Sequence, residues 1–590
     1  MNLYKNIHDE NIKNYGLKYK NTTNIVINQY NDRTHFIFEL LQNAEDAGAE
    51  VVSFELRNDC LIIEHDGNEF NDDDIRSICA IGESTKAEEK SGIGKFGIGF
   101  KSVYSYTKTP CIYSGEYSFQ INDCIFPEEI PSIQLADGHT VFKLQFDHDE
   151  VDKETAYKEI SNALQTQLDE ASVLMLNNIQ KITVKTAAFS SQIVSERKHI
   201  SDDRKVIEVK TEYYFNNNKN REQRYIQFTD NEKYSSVLMF KVDGDRIVKT
   251  DKKNNYIYSY FPTSVESHQH FLIQAPFNTT PARDNIKLND AANKRFVKSI
   301  CELLKYSFIW FRDQKKITVQ SLSDVYPIHP YNELSLFYPI YKTAVTLINT
   351  ENLLPVEGSD EYVSISNGYI ADTAKIVDLI DNSILKLLEG YKSFWVEKSI
   401  INTENHGFYR FITDNTDIKS RRKKLVHLVD KMNNGFYENR NSHNSVKWFS
   451  ELFQMIENNP SDFKGKVKTY PFIRLSTGKH IAPYDEKNNL LVYLNNPAHC
   501  EYKINSDFLA NSTIKEFYSH VLGIEEYNKV HFVLDKILPK YSTPFNETNI
   551  KENCSDLAQV VSALKDGDDG RIKKQLYNSY IMIRASKQQF

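Results

Sequence analysis

Glu39 and Asn43 stand four residues apart in the segment FELLQNAEDAGA, with Asp46 one turn further on. That spacing puts the carboxylate and the amide on one helical face. A carboxylate so placed could activate a water by taking its proton, and the amide oxygen could ligate a magnesium ion. A second segment, LIIEHDGNEF, reads as a strand ending in Asp66-Gly67. A carboxylate there could accept a hydrogen bond from an adenine amino group while glycine admits the flat ring, and a neutral His65 could accept the same bond. A third, GIGKFGIGFKSVY, sets Gly92, Gly94, Gly97 and Gly99 ahead of a helix-like run. Exposed backbone amides and a helix dipole could hold phosphates there. In the fourth, DGHTVFKLQF, Thr140 could reach that loop from a late strand. Each piece alone is ordinary: a polar helix face, a turn, a glycine-rich loop. The glycine run lacks both the Rossmann arrangement and the Gly-Lys-Ser/Thr of a P-loop, so order and spacing must carry the reading.

The elements needed to position these residues can be read from apolar periodicity. Phe36, Ile37, Leu40, Leu41, Ala44 and Ala47 recur at three- and four-residue spacing, which predicts an amphipathic helix over about 33–49 stopped by Gly48. VVSFEL and CLIIEH read as strands, and Asn71-Asp72-Asp73-Asp74 has the capping chemistry of a helix over about 72–82. A Ser-, Lys-, Glu- and Gly-rich stretch follows at 84–94, then FGIGFKSVYSYT as a helix entered through glycines and HTVFKLQFD (139–147) as a strand. The order predicts an α/β sandwich ending near residue 150. Residues 151–178 read as helical, and alternating segments from KITVKTA to NYIYSYF predict a second, sheet-based domain, with NNNKNREQR (216–224) as an exposed hairpin connection. Beyond about 287 the patterns are mostly helical, at 294–312, 372–389, 419–433 and 446–457. The expected division is 1–150, 151–290 and 291–590. TYPFIRLSTGKHIAP (469–483) faintly resembles SYIMIRASKQQF (579–590), and a true repeat there would mean a chain that continues beyond Phe590.

Together the four segments resemble the GHKL ATPase superfamily of gyrase, heat-shock-ninety chaperones, histidine kinases and MutL, over about residues 20–147. IGKFGIGFKS is close to the chaperone phosphate loop, and HFIFELLQNAEDA with ICAIGESTK and GIGKFGIGFKSVY looks most like sacsin-type and plant NOV-type proteins. The resemblance implies a GHKL (Bergerat) α/β sandwich followed by a mixed α/β domain and a mostly helical C-terminal region. It implies ATP and magnesium as ligands, Glu39 as the water-activating base, Asn43 as the magnesium ligand, and Asp46 and Ala47 as nearby contacts. It further assigns Asp66 and Gly67 to the base, with Ile78, and Gly94, Lys95, Phe96, Gly97, Ile98, Gly99 and Phe100 to the phosphates. Residues 80–93, including Ser84, Thr85 and Lys86, match the mobile lid, and Thr140 matches the late threonine. The sequence departs from the family's Asp-x-Gly-x-Gly, because His65-Asp66-Gly67-Asn68-Glu69 lacks the second glycine. Aligning Gly67 with the first family glycine puts His65 at the adenine position, while a carboxylate at Asp66 reads the amino group directly. FLIQAPFNTTPARDNIKLND (271–290) resembles the chaperone loop that brings an arginine to the γ-phosphate, and Arg283 is the matching position.

The implied activity is slow ATP hydrolysis driving shape change, in chaperone-like remodelling or as the ATPase component of a bacterial antiviral defence system. The implied partners are an unidentified protein client or partner subunit and an ATP-dependent homodimer. A MutL- or MORC-like nucleic-acid clamp, and a scaffold that binds nucleotide without turnover, are the alternatives. With 72 basic and 80 acidic residues the net charge is -8, which opposes non-specific binding of nucleic acid or anionic membrane over the whole surface. The run KSRRKK (419–424), at the head of an expected helix, could contact phosphates, but charge runs are usually solvated faces. Seven cysteines without a C-x-x-C pair, and histidines without metal-ligand spacing beyond the isolated pair His268 and His270, argue against a zinc site or a disulfide framework. No apolar stretch approaches the length of a membrane span, and a reducing cytoplasm is the expected compartment.

Overall fold

A computed structural model describes residues 3–16, 33–80, 99–201, 206–230, 236–251, 255–280, 285–329, 331–438, 445–543, 550–567 and 570–581. The chain divides into two compact units, one of residues 1–366 with 399–419, the other of 367–398 with 420–590. In the first unit, α1 (Leu3–Tyr15) precedes α2 (Phe36–Asp46), the antiparallel pair β1 (Val51–Leu56) and β2 (Cys60–His65), and α3 (Asp72–Cys79). The helix read at 33–49 is therefore α2, with a short 3-10 turn at Arg33–His35 before it. Its apolar stripe is wholly interior, with Phe36, Ile37, Leu41 and Ala44 each 0% exposed. Asn71 caps α3 as its sequence suggests: its side chain accepts hydrogen bonds from the amides of Asp73 and Asp74, and Asp74 returns one from the Asn71 amide.

β3 (Cys111–Ser114), β4 (Tyr117–Asn122), β5 (Phe126–Glu129) and β6 (Thr140–Gln145) follow, and β6 lies between β2 and β3. The segment expected as a glycine-entered helix is a 3-10 stretch, Gly99–Ser105. Its side chains from Phe100 to Tyr104 are all buried, so the chain is packed on every side where a solvated amphipathic helix would show one polar face.

The core of this region does not end at residue 150. α4 (Lys153–Thr166) and α5 (Ala171–Leu174) lead into β7 (Lys181–Lys185), which pairs in parallel with β1 from Val51↔Lys181 to Glu55↔Lys185. That pairing fuses the two expected sheets into one. β8 (Ser190–Ser201), β9 (Val206–Phe215), β10 (Asn218–Thr229), β11 (Val237–Asp243), β12 (Arg246–Ile247), β13 (Tyr256–Ser259), β14 (Phe261–Glu266) and β15 (Leu272–Gln274) complete a 15-stranded mixed sheet. The polar run 216–224 belongs largely to β10 rather than to a loop. Asn216 and Asn217, at φ 47 and 65, make the whole reversal, a turn that asparagine tolerates. The charges beyond are then neutralised in and across the strands, Lys219 Nζ lying 2.7 Å from Glu212 and 2.6 Å from Glu222.

The joint between α2 and the later strands is made by Glu45. This glutamate is 4% exposed, and its carboxylate accepts the backbone N–H groups of Asn177 (2.6 Å), Asn178 (3.0 Å) and Ile179 (3.0 Å), just before β7. Beside it the partly buried Arg197 guanidinium donates to the carbonyls of Val173 (3.2 Å) and Leu174 (3.1 Å). α6 (Ala291–Asp313) then covers the far strands through Phe308 and Phe311, and helices Val319–Val325 and Tyr338–Thr350 follow it.

The second unit is built on aromatic packing around helix Val446–Glu457, where Phe453 stacks on Phe517 at 4.1 Å. It contains short strands as well as helices, including a three-strand sheet of Gly368–Ala371, Phe394–Trp395 and Arg422–Lys423. The basic run is thus not the start of a helix, which begins at Leu425. Among its residues, Arg422 pairs with Asp372, Lys423 lies 3.0 Å from Glu389 and Lys424 3.1 Å from Asp462. A run neutralised in this way has little charge left for phosphates. The hairpin Ile473–Arg474 with His480–Ile481 falls in the first of the two resembling segments, whereas most of the second lies outside the described residues. Among the described residues, no helix is long and apolar enough to cross a membrane.

Replacing Glu45 by alanine strands three amides in a poorly solvated place. We expect a loss of about 3 kcal/mol of unfolding free energy, read by urea denaturation; a loss below about 0.5 kcal/mol would show that the joint is not held there.

Candidate functional site

α2 turns its apolar stripe inward and carries Glu39, Asn43 and Asp46 along its length. Glu39 is buried, at 3% exposure, while Asn43 and Asp46 are partly exposed. A buried carboxylate requires polar partners. One is His35, a full turn earlier on the same side, whose Nε2 lies 3.3 Å from Glu39 Oε1. On the other side is Gly99. A Cβ added there would lie 1.9 Å from Glu39 Oε2 and 2.8 Å from its Cδ, so the carboxylate occupies the space that any larger residue at 99 would claim. The last glycine of the glycine-rich run and the candidate base are in direct contact.

The Asp66-Gly67 turn abuts the C-terminal end of α2. The Asn68 amide donates to the Ala47 carbonyl (2.8 Å), and a Cβ on Gly67 would come within 2.9 Å of that oxygen and 3.0 Å of the Ala49 nitrogen. This is the close approach for which the sequence needs glycine. Of the two candidates for reading a base, His65 points inward and is 3% exposed. Its Nδ1 accepts the Gly67 N–H at 3.1 Å, and burial holds its pKa down at about 4, so the ring is neutral. The exposed Asp66 uses its Oδ1 to accept the amides of Glu50 (2.8 Å) and Val51 (2.9 Å), capping the start of β1. Thr140 sits opposite His65 in the β2–β6 ladder, fully buried, with its hydroxyl 2.6 Å from that of Ser114.

Ile78 and Phe100 meet through a residue that periodicity does not flag. Lys101 is 3% exposed, and its ammonium donates to the carbonyls of Ile78 (2.6 Å) and Cys124. Burial lowers its pKa and raises those of the neighbouring thiols, Cys79 to about 12 and Cys124 to about 11. Asn11 of α1 adds a parallel tie, donating to the carbonyls of Cys79 (3.1 Å) and Ile125 (2.8 Å). The end of α3 is therefore fixed immediately before the segment expected to form the lid. Ser84, Thr85, Lys86, Gly94, Lys95, Phe96, Gly97 and Ile98 lie outside the described residues, as does Arg283. The two feet of the Arg283 segment are described. Asn293, 0% exposed, accepts the Asn278 N–H (2.8 Å) and donates to the carbonyls of Asn278 and Lys287, both at 2.9 Å.

The structure thus brings Glu39 together with Gly99, Ala47 with Gly67, and Thr140 with His65. It adds three residues the sequence reading passed over. His35 had a legible signal in its four-residue spacing to Glu39. A lysine and a glutamate at otherwise apolar positions, Lys101 and Glu45, were the signals for the other two. Among the described residues, no cluster of three or more His, Cys, Asp or Glu side chains forms a metal-binding set. The arrangement offers a buried carboxylate held between His35 and the side-chain-free backbone of Gly99.

Residues 18–172 match the sacsin domain family. The chain is 35% identical over 98 residues to Protein NO VEIN of Arabidopsis thaliana, covering 16% of this chain and 4% of that protein. It is 34% identical over 111 residues to human sacsin, covering 16% of this chain and 2% of that protein. These matches support a family relationship of sacsin and NO VEIN type for the N-terminal region, and they span only a few hundredths of either relative. A crystal structure of the N-terminal domain of a DNA repair protein aligns over 50% of this chain and 98% of that one, at 11% identity and a TM-score of 0.30.

The buried neutral His65 makes stability drop as pH is lowered through a defined window. Its folded pKa of about 4 lies below the unfolded value of about 6.5, so the unfolded state takes the extra proton first. Its contribution is complete above the unfolded value and is lost as pH falls toward about 4, amounting to roughly 3 kcal/mol. The difference in denaturation midpoint between wild type and His65→Gln should therefore change between pH 7 and pH 4.5; a constant difference would show that the ring is solvated.

Proposed function

We propose that the N-terminal region binds Mg-ATP and hydrolyses it slowly in the GHKL manner, and that the cycle drives conformational change. The observation that carries this reading is the contact of the buried Glu39 carboxylate with Gly99, a cradle that an added Cβ would fill at 1.9 Å from Oε2. A base set directly against the end of a glycine-rich run is the arrangement that water attack on a main-chain-held phosphate requires. The residues present therefore suit the nucleotide and its metal.

In this reading the turn at His65–Gly67 and Ala47 receives the base, while Gly94 to Phe100 supply amides to the phosphates, with Thr140 and the lid residues Ser84, Thr85 and Lys86 beside them. Asn43 would ligate magnesium with its amide oxygen, and Asp46 would support that end of α2. Magnesium, when bound, neutralises charge on the phosphate oxygens. Glu39, ionised, takes one proton from a water as that oxygen attacks the γ-phosphorus. The bond from the γ-phosphorus to the bridging oxygen breaks, and ADP leaves with inorganic phosphate. His35 holds one carboxylate oxygen and so fixes which way the other faces. Arg283 offsets the charge that builds on the transferred group.

A γ-phosphate that orders mobile segments can switch a larger assembly without making a metabolic product. The sacsin-type similarity points the same way, toward chaperone-like remodelling or an antiviral defence ATPase acting on a protein client or in an ATP-dependent homodimer. The ion-paired basic run of the second unit gives the nucleic-acid clamp no added support.

Phosphate release from Mg-ATP is expected to fall by at least about 100-fold in Glu39→Ala, with nucleotide binding kept within a few-fold. Gly99→Ala should also lose turnover, because its methyl group displaces the carboxylate. Wild-type binding without turnover would replace the ATPase reading by a nucleotide-gated scaffold, and absence of binding would remove both.

A further inference from the structure

The Glu39–His35 pair is held from one side by α2 itself, yet His35 is only half-buried and its ring has a second neighbour. The Phe38 ring lies 6.2 Å from it, centroid to centroid. Phe38 is the one large apolar residue of α2 outside the fully buried stripe, and it meets Phe261 of β14 at 5.0 Å. Both phenylalanines pack on the margin of the N-terminal core. A row of rings, Phe261, Phe38 and His35, therefore runs from the far part of the sheet to the partner of the candidate base.

The tip that delivers Phe261 is built tightly. β13 and β14 are joined by Tyr260 alone, with Ser259 paired to Phe261 across it. Tyr260 takes φ 69, a left-handed conformation that a bulky side chain rarely adopts and that neighbouring structure must impose. The same hairpin is anchored to the strand that leads into the Arg283 segment. β13 runs parallel to β15 (Ile257↔Ile273, Tyr258↔Gln274), and the Ser259 hydroxyl donates to the Phe277 carbonyl at 3.3 Å. The feature that touches the base-bearing helix and the feature that begins the arginine segment thus share one strand.

We infer that Phe261 is a positioning residue for Glu39, acting through Phe38 and His35 from the far end of the sheet. This rests on the assignment of Glu39 as the base. A side chain that packs on the rim of the core would ordinarily affect stability and nothing else. Here the ring it supports is adjacent to the imidazole that orients the carboxylate, so its removal should loosen catalytic geometry and leave nucleotide affinity alone. Movement of the β13–β15 region would be felt at Glu39 through the same contacts.

The test uses the full chain with Phe261→Ala, Phe38→Ala, their combination, and Phe261→Leu, which keeps apolar bulk. Steady-state phosphate release gives kcat and KM, nucleotide titration gives Kd, and selectively labelled histidine reports the His35 ring by NMR. The expected result is a fall in kcat of about tenfold in each alanine variant with KM and Kd unchanged. The combination should be no worse than the single changes, Phe261→Leu should recover most of the rate, and the His35 signals should move in Phe261→Ala. Unchanged kcat, or kcat falling only with the folded fraction while the His35 signals stay in place, overturns the assignment. If the wild type shows no turnover, the ATPase reading fails by itself. The His35 signals then decide the ring contact separately: movement supports it and stasis ends it.

Discussion

A carboxylate at 3% exposure must be given partners or it will not stay ionised, and Glu39 is the point where this constraint meets the rest of the fold. Its two oxygens are treated differently. Oε1 faces the His35 imidazole at 3.3 Å, and Oε2 rests where a side chain at Gly99 would be. The first contact fixes α2 relative to its own N-terminal turn. The second requires Gly99 to lie against α2, which in turn requires the buried 3-10 segment Gly99–Ser105 and the Lys101 ammonium that ties it to Ile78 and Cys124.

The same helix is held at its far end by the opposite arrangement. Glu45 turns away from the candidate site and gathers the amides that precede β7. With β1 and β7 in parallel register, this makes one continuous sheet out of what periodicity divides in two. α2 is thus a rigid beam, with a carboxylate near one end available for chemistry and another at its other end spent on structure. Such fixing at both ends suits a base that must be presented in one orientation.

How much of this was legible depended on range. β1 and β2 follow from simple alternation, the α3 cap from Asn71, and α2 from its three- and four-residue apolar spacing, because each of these is decided by neighbours in sequence. The contact of Glu39 with Gly99 was anticipated only through family resemblance, since no spacing rule brings residue 39 to residue 99. The β1–β7 pairing, the Glu45 joint and the Phe38–Phe261 contact were illegible for the same reason: period reports which face is buried and says nothing of what covers it. The hairpin within 216–224 was legible, but its loop reads too long, because the charged residues after Asn216–Asn217 read as loop until their cross-strand partners are known. The basic run at 419–424 reads as a solvated charge run, but its place ahead of the helix, and its acidic partners Asp372, Glu389 and Asp462, are set by residues distant in the chain.

The account's central claim is that the surface between Glu39 and Gly99 is where a nucleotide phosphate meets its attacking water. The most direct measurement is a crystal structure of the full chain with magnesium and a non-hydrolysable ATP analogue. The account predicts the γ-phosphate against the Gly94–Gly99 amides, a water within hydrogen-bond distance of Glu39, and the metal on Asn43. A nucleotide bound elsewhere, or a carboxylate turned away from the phosphate with His35 and Gly99 unmoved, would contradict it.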